Sequence, residues 1–282
     1  MTKNIMSEFK FEQDINPAST KPQLIQAMSI KTGNFVAIKF FSKEIVSKLK
    51  EEEIMRTIAM FNSLRHKYLI HYHEVHRDGI AAYLVMDWCE GKSLYDTLQG
   101  YRNLPEKLVS RYIYEVLQGL EYLHSQGTTH NNIKATNILT TNGMAKLTDF
   151  GLSAKISNLD ILEHPYWSAP EVLNAKNYSR ESDIWSLACT ILELMTGKPP
   201  WADLSPYDAR AHILNDEIPQ FPDSFSEHLC DFLRNCFNRD PSKRPSAKDL
   251  QYHFWITTNN NITEDNQKNA SIQPTSSIHF DL

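Results

Sequence analysis

His130-Asn131-Asn132-Ile133-Lys134-Ala135-Thr136-Asn137-Ile138-Leu139 decides how this chain is read. The stretch sets one lysine among three asparagines and closes on an apolar pair. Thr148-Asp149-Phe150-Gly151 follows, with Asp149 twelve residues beyond Asn137, and Ala169-Pro170-Glu171 comes after it. None of these strings is informative alone, since an aspartate before a glycine is an ordinary turn signal. Their order and spacing carry the information.

Outward from this stretch the chain divides in character. Upstream, Gln23-Leu24-Ile25-Gln26-Ala27 partly alternates, and Lys31-Thr32-Gly33-Asn34 signals a turn. Phe35-Val36-Ala37-Ile38-Lys39-Phe40-Phe41 is a β-branched and aromatic run of strand length. A helix is expected over about 43–64, where Ile54, Ile58 and Phe61 fall at i, i+4, i+7. Strands are expected near 69–75 and 81–88. After Glu90-Gly91 the pattern is helical. Ser93 is an N-cap candidate, and a long helix is expected over 105–125, with Val109, Ile113, Val116, Leu120 and Leu123 on its apolar face. Further helices are expected over 183–196, 207–215, 226–236 and 247–253.

Bulk properties narrow the function classes. The 282 residues suit one large or two small domains, and 41% apolar content supplies a core. A net charge of −5 argues against a nucleic-acid partner. Cys89, Cys189, Cys230 and Cys236 have neither disulfide nor zinc spacing, as expected of thiols in a reducing compartment. The first ten residues lack a signal-peptide core, and no run approaches the roughly 18 apolar residues of a membrane span. A cytoplasmic protein is expected, with nuclear or cytoskeletal association left open.

The loop pattern H-R-D-L-x-x-x-x-N, followed by D-F-G and A-P-E at this spacing, resembles the eukaryotic protein kinase family over most of the chain. Pro165-Tyr166-Trp167-Ser168 and Thr196-Gly197-Lys198-Pro199-Pro200-Trp201 resemble the sterile group of Ser/Thr kinases, which includes MAP-kinase-kinase-kinase relatives and the mitotic-exit and septation kinases of fungi. The resemblance implies an α+β, bilobal fold. A small antiparallel β-rich lobe with one main helix would span about 9–88, and a larger helical lobe about 89–256. The polar tail, 257–282, is expected to be disordered.

The resemblance also assigns roles. Lys39, in Val36-Ala37-Ile38-Lys39, looks like the lysine that meets the α/β-phosphates of ATP. Asn137 and Asp149 look like the Mg²⁺ ligands and supply the hard oxygens that ion requires. Met86 would stand behind the adenine, Asp87-Trp88-Cys89 would form the hinge, and Leu24, Ala37 and Leu139 would sandwich the base. Leu24, Ala37, Met86 and Leu139 read equally well as plain core. Glu171 and Arg244 resemble a buried ion pair, and Asp183 resembles the aspartate that holds the loop backbone.

Four devices of the pattern are missing. Asn132 stands where the family has its catalytic aspartate; an amide can orient a hydroxyl but cannot take its proton, although Lys134 is retained. Asn131 replaces an arginine that would pair with a phosphate on the activation segment, so Ser153 and Ser157 lose that partner. Thr57 falls on the helix-C glutamate position, with Glu53 one turn earlier as a possible substitute. The glycine-rich loop falls on Pro17-Ala18-Ser19-Thr20-Lys21-Pro22, and proline has no N–H to offer a phosphate. In addition, Glu163-His164 stands where the group carries Gly-Thr.

Lost chemistry within a retained frame implies a pseudokinase that acts as a scaffold or allosteric regulator. Its partner would be a protein, such as an active kinase or a pathway regulator in cell division or morphogenesis. A weak or unconventional ATP-dependent Ser/Thr kinase and a nucleotide-sensing module are the alternatives. Lys39, Asn137 and Asp149 argue for residual binding of ATP and Mg²⁺; the lost loop and the lost glutamate argue against it.

Overall fold

The computed structural model describes residues 7–12, 23–41, 63–78, 81–150, 164–175, 178–215 and 218–262. Thr57, Glu53, Ser153, Ser157, Glu163, the segment Pro17–Pro22 and all but the last two residues of the helix expected over 43–64 lie outside these residues.

Five antiparallel strands form the first sheet: β1 (Phe9–Phe11), β2 (Gln23–Ser29), β3 (Phe35–Phe41), β4 (Tyr72–Asp78) and β5 (Ala81–Asp87), in the order β1-β2-β3-β5-β4. The two-residue period of a strand divides β3 between two faces. Val36 and Ile38 join Phe9, Ala27 and Val85 in a small outer cluster, whereas Ala37 and Phe41 belong to the main core with Leu84 and Met86. Lys39 lies between Ala37 and Phe41 on that second face. Register sets its neighbours, because Lys39 pairs with Leu24 on one side and Leu84 on the other, and Ala37 pairs with Met86. The fourth strand starts at Tyr72, later than expected from the apolar run at Leu69-Ile70. Those two side chains are buried, and Leu69 makes a parallel bridge to Leu147 instead.

The second lobe is helical: α1 (Leu94–Gly100), α2 (Glu106–Ser125), α3 (Pro170–Ala175), α4 (Arg180–Thr196), α5 (Pro206–Leu214), α6 (Glu227–Cys236), α7 (Ala247–Leu250) and α8 (Phe254–Asn260). A two-stranded ribbon, β6 (Ile138–Thr141) and β7 (Met144–Leu147), sits between α2 and α3 in the chain. It ties the lobes together, since Ile70 N–H donates to the Leu147 carbonyl and Leu147 N–H to the Tyr68 carbonyl, both at 2.8 Å.

The α4 helix is apolar on nearly every side, with Ile184, Trp185, Leu187, Ala188, Ile191 and Leu194 all buried, which marks a central core helix. It starts three residues before the apolar run because Ser179 and Ser182 form a capping box. Ser179→Ala is expected to lower stability by about 0.5–2 kcal/mol in a denaturant titration, by uncapping the Ser182 N–H.

The chain also stays ordered beyond the expected end of the folded region. Thr257 through Asn260 complete α8 rather than opening a disordered tail. Polar side chains there satisfy local carbonyls: Thr257 Oγ1 donates to His253, and the Asn259 and Asn260 amides donate to Trp255 and Ile256. Asn260 also reaches Ser110 Oγ on α2, and Ile262 packs against the core.

Candidate active site

A cavity of about 300 Å³ lies where the sheet faces the helical lobe. Leu24, Ala37 and Lys39 from β2 and β3, and Met86, Asp87 and Cys89 from β5 and its exit, line one side. Asn137, Leu139 and Asp149 line the other. All nine residues expected to hold nucleotide or metal therefore meet around one space, although they are far apart in sequence. Leu24 is 62% exposed at the rim, whereas Met86 is buried. Gly91 is required at the exit from the hinge, because a Cβ there would lie 1.3 Å from the Thr140 carbonyl oxygen. A larger cavity of about 750 Å³, lined by Pro199, Pro200 and Trp201 among others, contains none of the expected residues. Chemistry, not size, marks the site.

Asn132 and Lys134 do not line this cavity; they belong to the loop beneath it. Asp183, 1% exposed on α4, fixes that loop. Its carboxylate accepts from His130 N–H at 2.8 Å, Asn131 N–H at 2.7 Å and His124 Nε2 at 2.9 Å. These bonds hold Asn131 at φ 66°, a left-handed conformation that asparagine tolerates better than most residues. Asn132 N–H donates to His130 Nδ1, and the Asn132 carbonyl accepts from Asn137 Nδ2 at 2.7 Å. The Asn132 side-chain Nδ2 is buried and meets no acceptor among the described residues. The Asn137 amide nitrogen is thus committed to the loop, and Oδ1, which accepts only a long bond from Thr136 Oγ1 at 3.4 Å, is the atom that could meet a cation.

Asp149 is held from several directions. Its backbone is left-handed (φ 63°), a strained state for a non-glycine residue that surrounding contacts must enforce. Asp149 N–H donates to Tyr72 Oη at 3.0 Å. The next residue, Phe150, packs edge-on against Tyr72 at 4.8 Å and lies 5.9 Å from the His130 ring. The carboxylate forms an ion pair with Lys39 Nζ at 2.6 Å. Both side chains are mostly withdrawn from water, at 12% and 19% exposure.

Burial sets the remaining electrostatics. It pushes the Lys134 ammonium below the usual lysine range, against the opposing pull of Asp149 and Glu193. It also lowers His130, although Asp183 and Asp149 favour the charged ring. Burial alone would raise Asp87; the hydrogen bond and charge of His73, 2.8 Å away, and the charge of His71 outweigh it and hold Asp87 low.

Glu193 is the residue the sequence reading passed over. It is buried on α4, and its Oε2 accepts from Ala135 N–H at 3.1 Å and from Trp167 Nε1 at 2.9 Å. Burial raises its pKa. It therefore joins the loop to the segment leading into α3, and the Trp167 ring in turn faces Lys134 Nζ at 5.8 Å. The available signal was a lone carboxylate within the apolar run Leu187–Leu194. Beyond this site, the expected pair Glu171–Arg244 forms two bonds, at 2.6 and 3.0 Å.

The donor set suits a nucleotide with a divalent cation at its apolar and metal ends. Ala37, Met86 and Leu139 offer apolar contact to a heterocycle, and Asp149 and Asn137 offer hard oxygens. Bound Mg²⁺ would neutralise phosphate charge. The chain's own contribution would be an ammonium at Lys39, with an amide at Asn132 on the loop beneath the cavity. An amide at that position accepts no proton.

This bilobal frame with its interlobe cavity defines a protein kinase fold, and the chain belongs to the protein kinase domain family, whose model matches residues 21–256. Its relatives are eukaryotic, sterile-type Ser/Thr kinases. MAP3K epsilon protein kinase 1 of Arabidopsis thaliana is 39% identical over 83% of this chain and 18% of its own length. Cytokinesis protein sepH of Aspergillus niger is 38% identical over 82% of this chain and 18% of its own. Cell division control protein 7 of Schizosaccharomyces pombe is 37% identical over 83% of this chain and 22% of its own. The chain thus spans about a fifth of the length of these relatives. Family members in general use ATP and Mg²⁺. Among the described residues no helix is long and apolar enough to cross a membrane.

Proposed function

We propose that this chain is a kinase fold without efficient phosphoryl transfer, a pseudokinase that works as a scaffold or allosteric regulator. The observation that carries this reading is Asn132. It occupies the base position of a loop that is otherwise anchored through Asp183, Glu193 and Asn137. General acid–base assistance contributes typically about 10²–10⁴-fold to rate, and an amide forgoes it. Thr57 and the prolines at 17 and 22 remove further supports for lysine and phosphate in the sequence. The partner in this reading is a protein, an active kinase or a pathway regulator. The relatives named for cytokinesis and cell division favour a pathway of that kind.

A second reading, a slow Ser/Thr kinase, is favoured by one observation: Lys39, Asn137 and Asp149 still share a cavity. Radiolabelled phosphoryl transfer by the purified chain, with Lys39→Ala as control, separates the two. The scaffold reading expects wild type and control to be indistinguishable. Robust transfer that disappears in Lys39→Ala would overturn it in favour of the slow kinase.

A further inference from the structure

We propose that the interlobe cavity selects against phosphate charge: it takes a neutral adenine nucleoside in preference to metal-free ATP, and phosphates add little even when Mg²⁺ accompanies them. This rests on reading the chain as a kinase fold released from catalysis. The two ends of the cavity differ in kind. Ala37, Met86 and Leu139 form an apolar end, beside which the Asp87 carboxylate is paired with His73. The polar end is already neutralised, because Lys39 and Asp149 are paired at 2.6 Å and largely shielded from water.

A triphosphate arriving without metal must draw Lys39 away from Asp149. It then lies beside an uncompensated carboxylate in a partly desolvated site, where like charges repel more strongly than in water. Lys134 also faces Asp149, but burial already disfavours its charge. Lys92 and Asp96, which also line the cavity, carry opposite signs and favour neither ligand. Magnesium relieves the repulsion, yet the result is an exchange of partners. Lys39 trades a carboxylate for a phosphate, and Asp149 trades an ammonium for a cation that gives up water reluctantly. Any surplus needs further donors over the phosphates. The sequence before β2 offers Pro17 and Pro22, which have no N–H to give.

Isothermal titration of the full chain with adenosine, with ATP in EDTA and with ATP in excess Mg²⁺ tests this. Adenosine is expected to bind at least about threefold tighter than ATP in EDTA, and ATP with Mg²⁺ to gain no more than about tenfold over adenosine. Asp149→Asn is expected to narrow the gap between adenosine and metal-free ATP. The wild-type ratios decide alone if that variant does not fold. Metal-free ATP binding within threefold of adenosine, a Mg²⁺-dependent gain beyond tenfold, or no binding by any of the three overturns the proposal. Phosphoryl transfer is scored separately. Transfer with this affinity order intact would overturn the inactive reading and leave the charge selectivity standing.

Discussion

Asp183→Ala is expected to lower stability by about 3–5 kcal/mol, because it strips one buried carboxylate from three donors at once. The His130 and Asn131 amides and His124 Nε2 all point at it, and its side chain is only 1% exposed. For a domain of this size such a loss lowers the melting temperature by on the order of 10 °C. The loop should also loosen, since the left-handed backbone at Asn131 depends on that carboxylate. Amide exchange at His130 and Asn131 reads this directly. A melt within 2 °C of wild type, on the order of 1 kcal/mol or less, would show that the loop is held by other means.

Arg244→Met is the second large effect. The guanidinium is 0% exposed, pairs with both oxygens of Glu171 and donates further to the Asn238 and Glu181 carbonyls. Its plane also lies 5.1 Å from the Trp185 ring centroid. Methionine keeps much of the volume but leaves Glu171 without its partner, a loss of about 3–5 kcal/mol in a denaturant titration. The paired change Arg244→Met with Glu171→Gln should recover part of that loss, because the unpaired charge is the main cost. No recovery in the double variant would assign the loss to packing instead.

These two anchors were legible in the sequence because the family pattern fixes their spacing. So were the residues that gather at the cavity: Lys39 is set by a strand alternation that puts it on the same face as Ala37, and Asp149 and Asn137 by their distance along the loop. The short elements were not legible. β1 has three residues and β6 and β7 four each, too few for alternation to show. α3 has six, less than two turns. The second half of α8 reads as tail because Thr257, Thr258, Asn259 and Asn260 are polar, yet three of them bond to their own helix. Glu193 escaped for a different reason. Its partners, Ala135 N–H and Trp167 Nε1, come from segments 58 and 26 residues away, and no local pattern announces them.

The central claim is that Asn132 is one of several coordinated losses rather than a single broken part. It is tested most directly by measuring phosphoryl transfer for wild type and Asn132→Asp side by side. Restoring one base to a site with every other device intact should return about 10²–10⁴-fold in rate. The account predicts a gain of less than about tenfold, because Thr57 and Pro17–Pro22 still leave lysine and phosphate unsupported. A gain of about a hundredfold or more from that one substitution would contradict it.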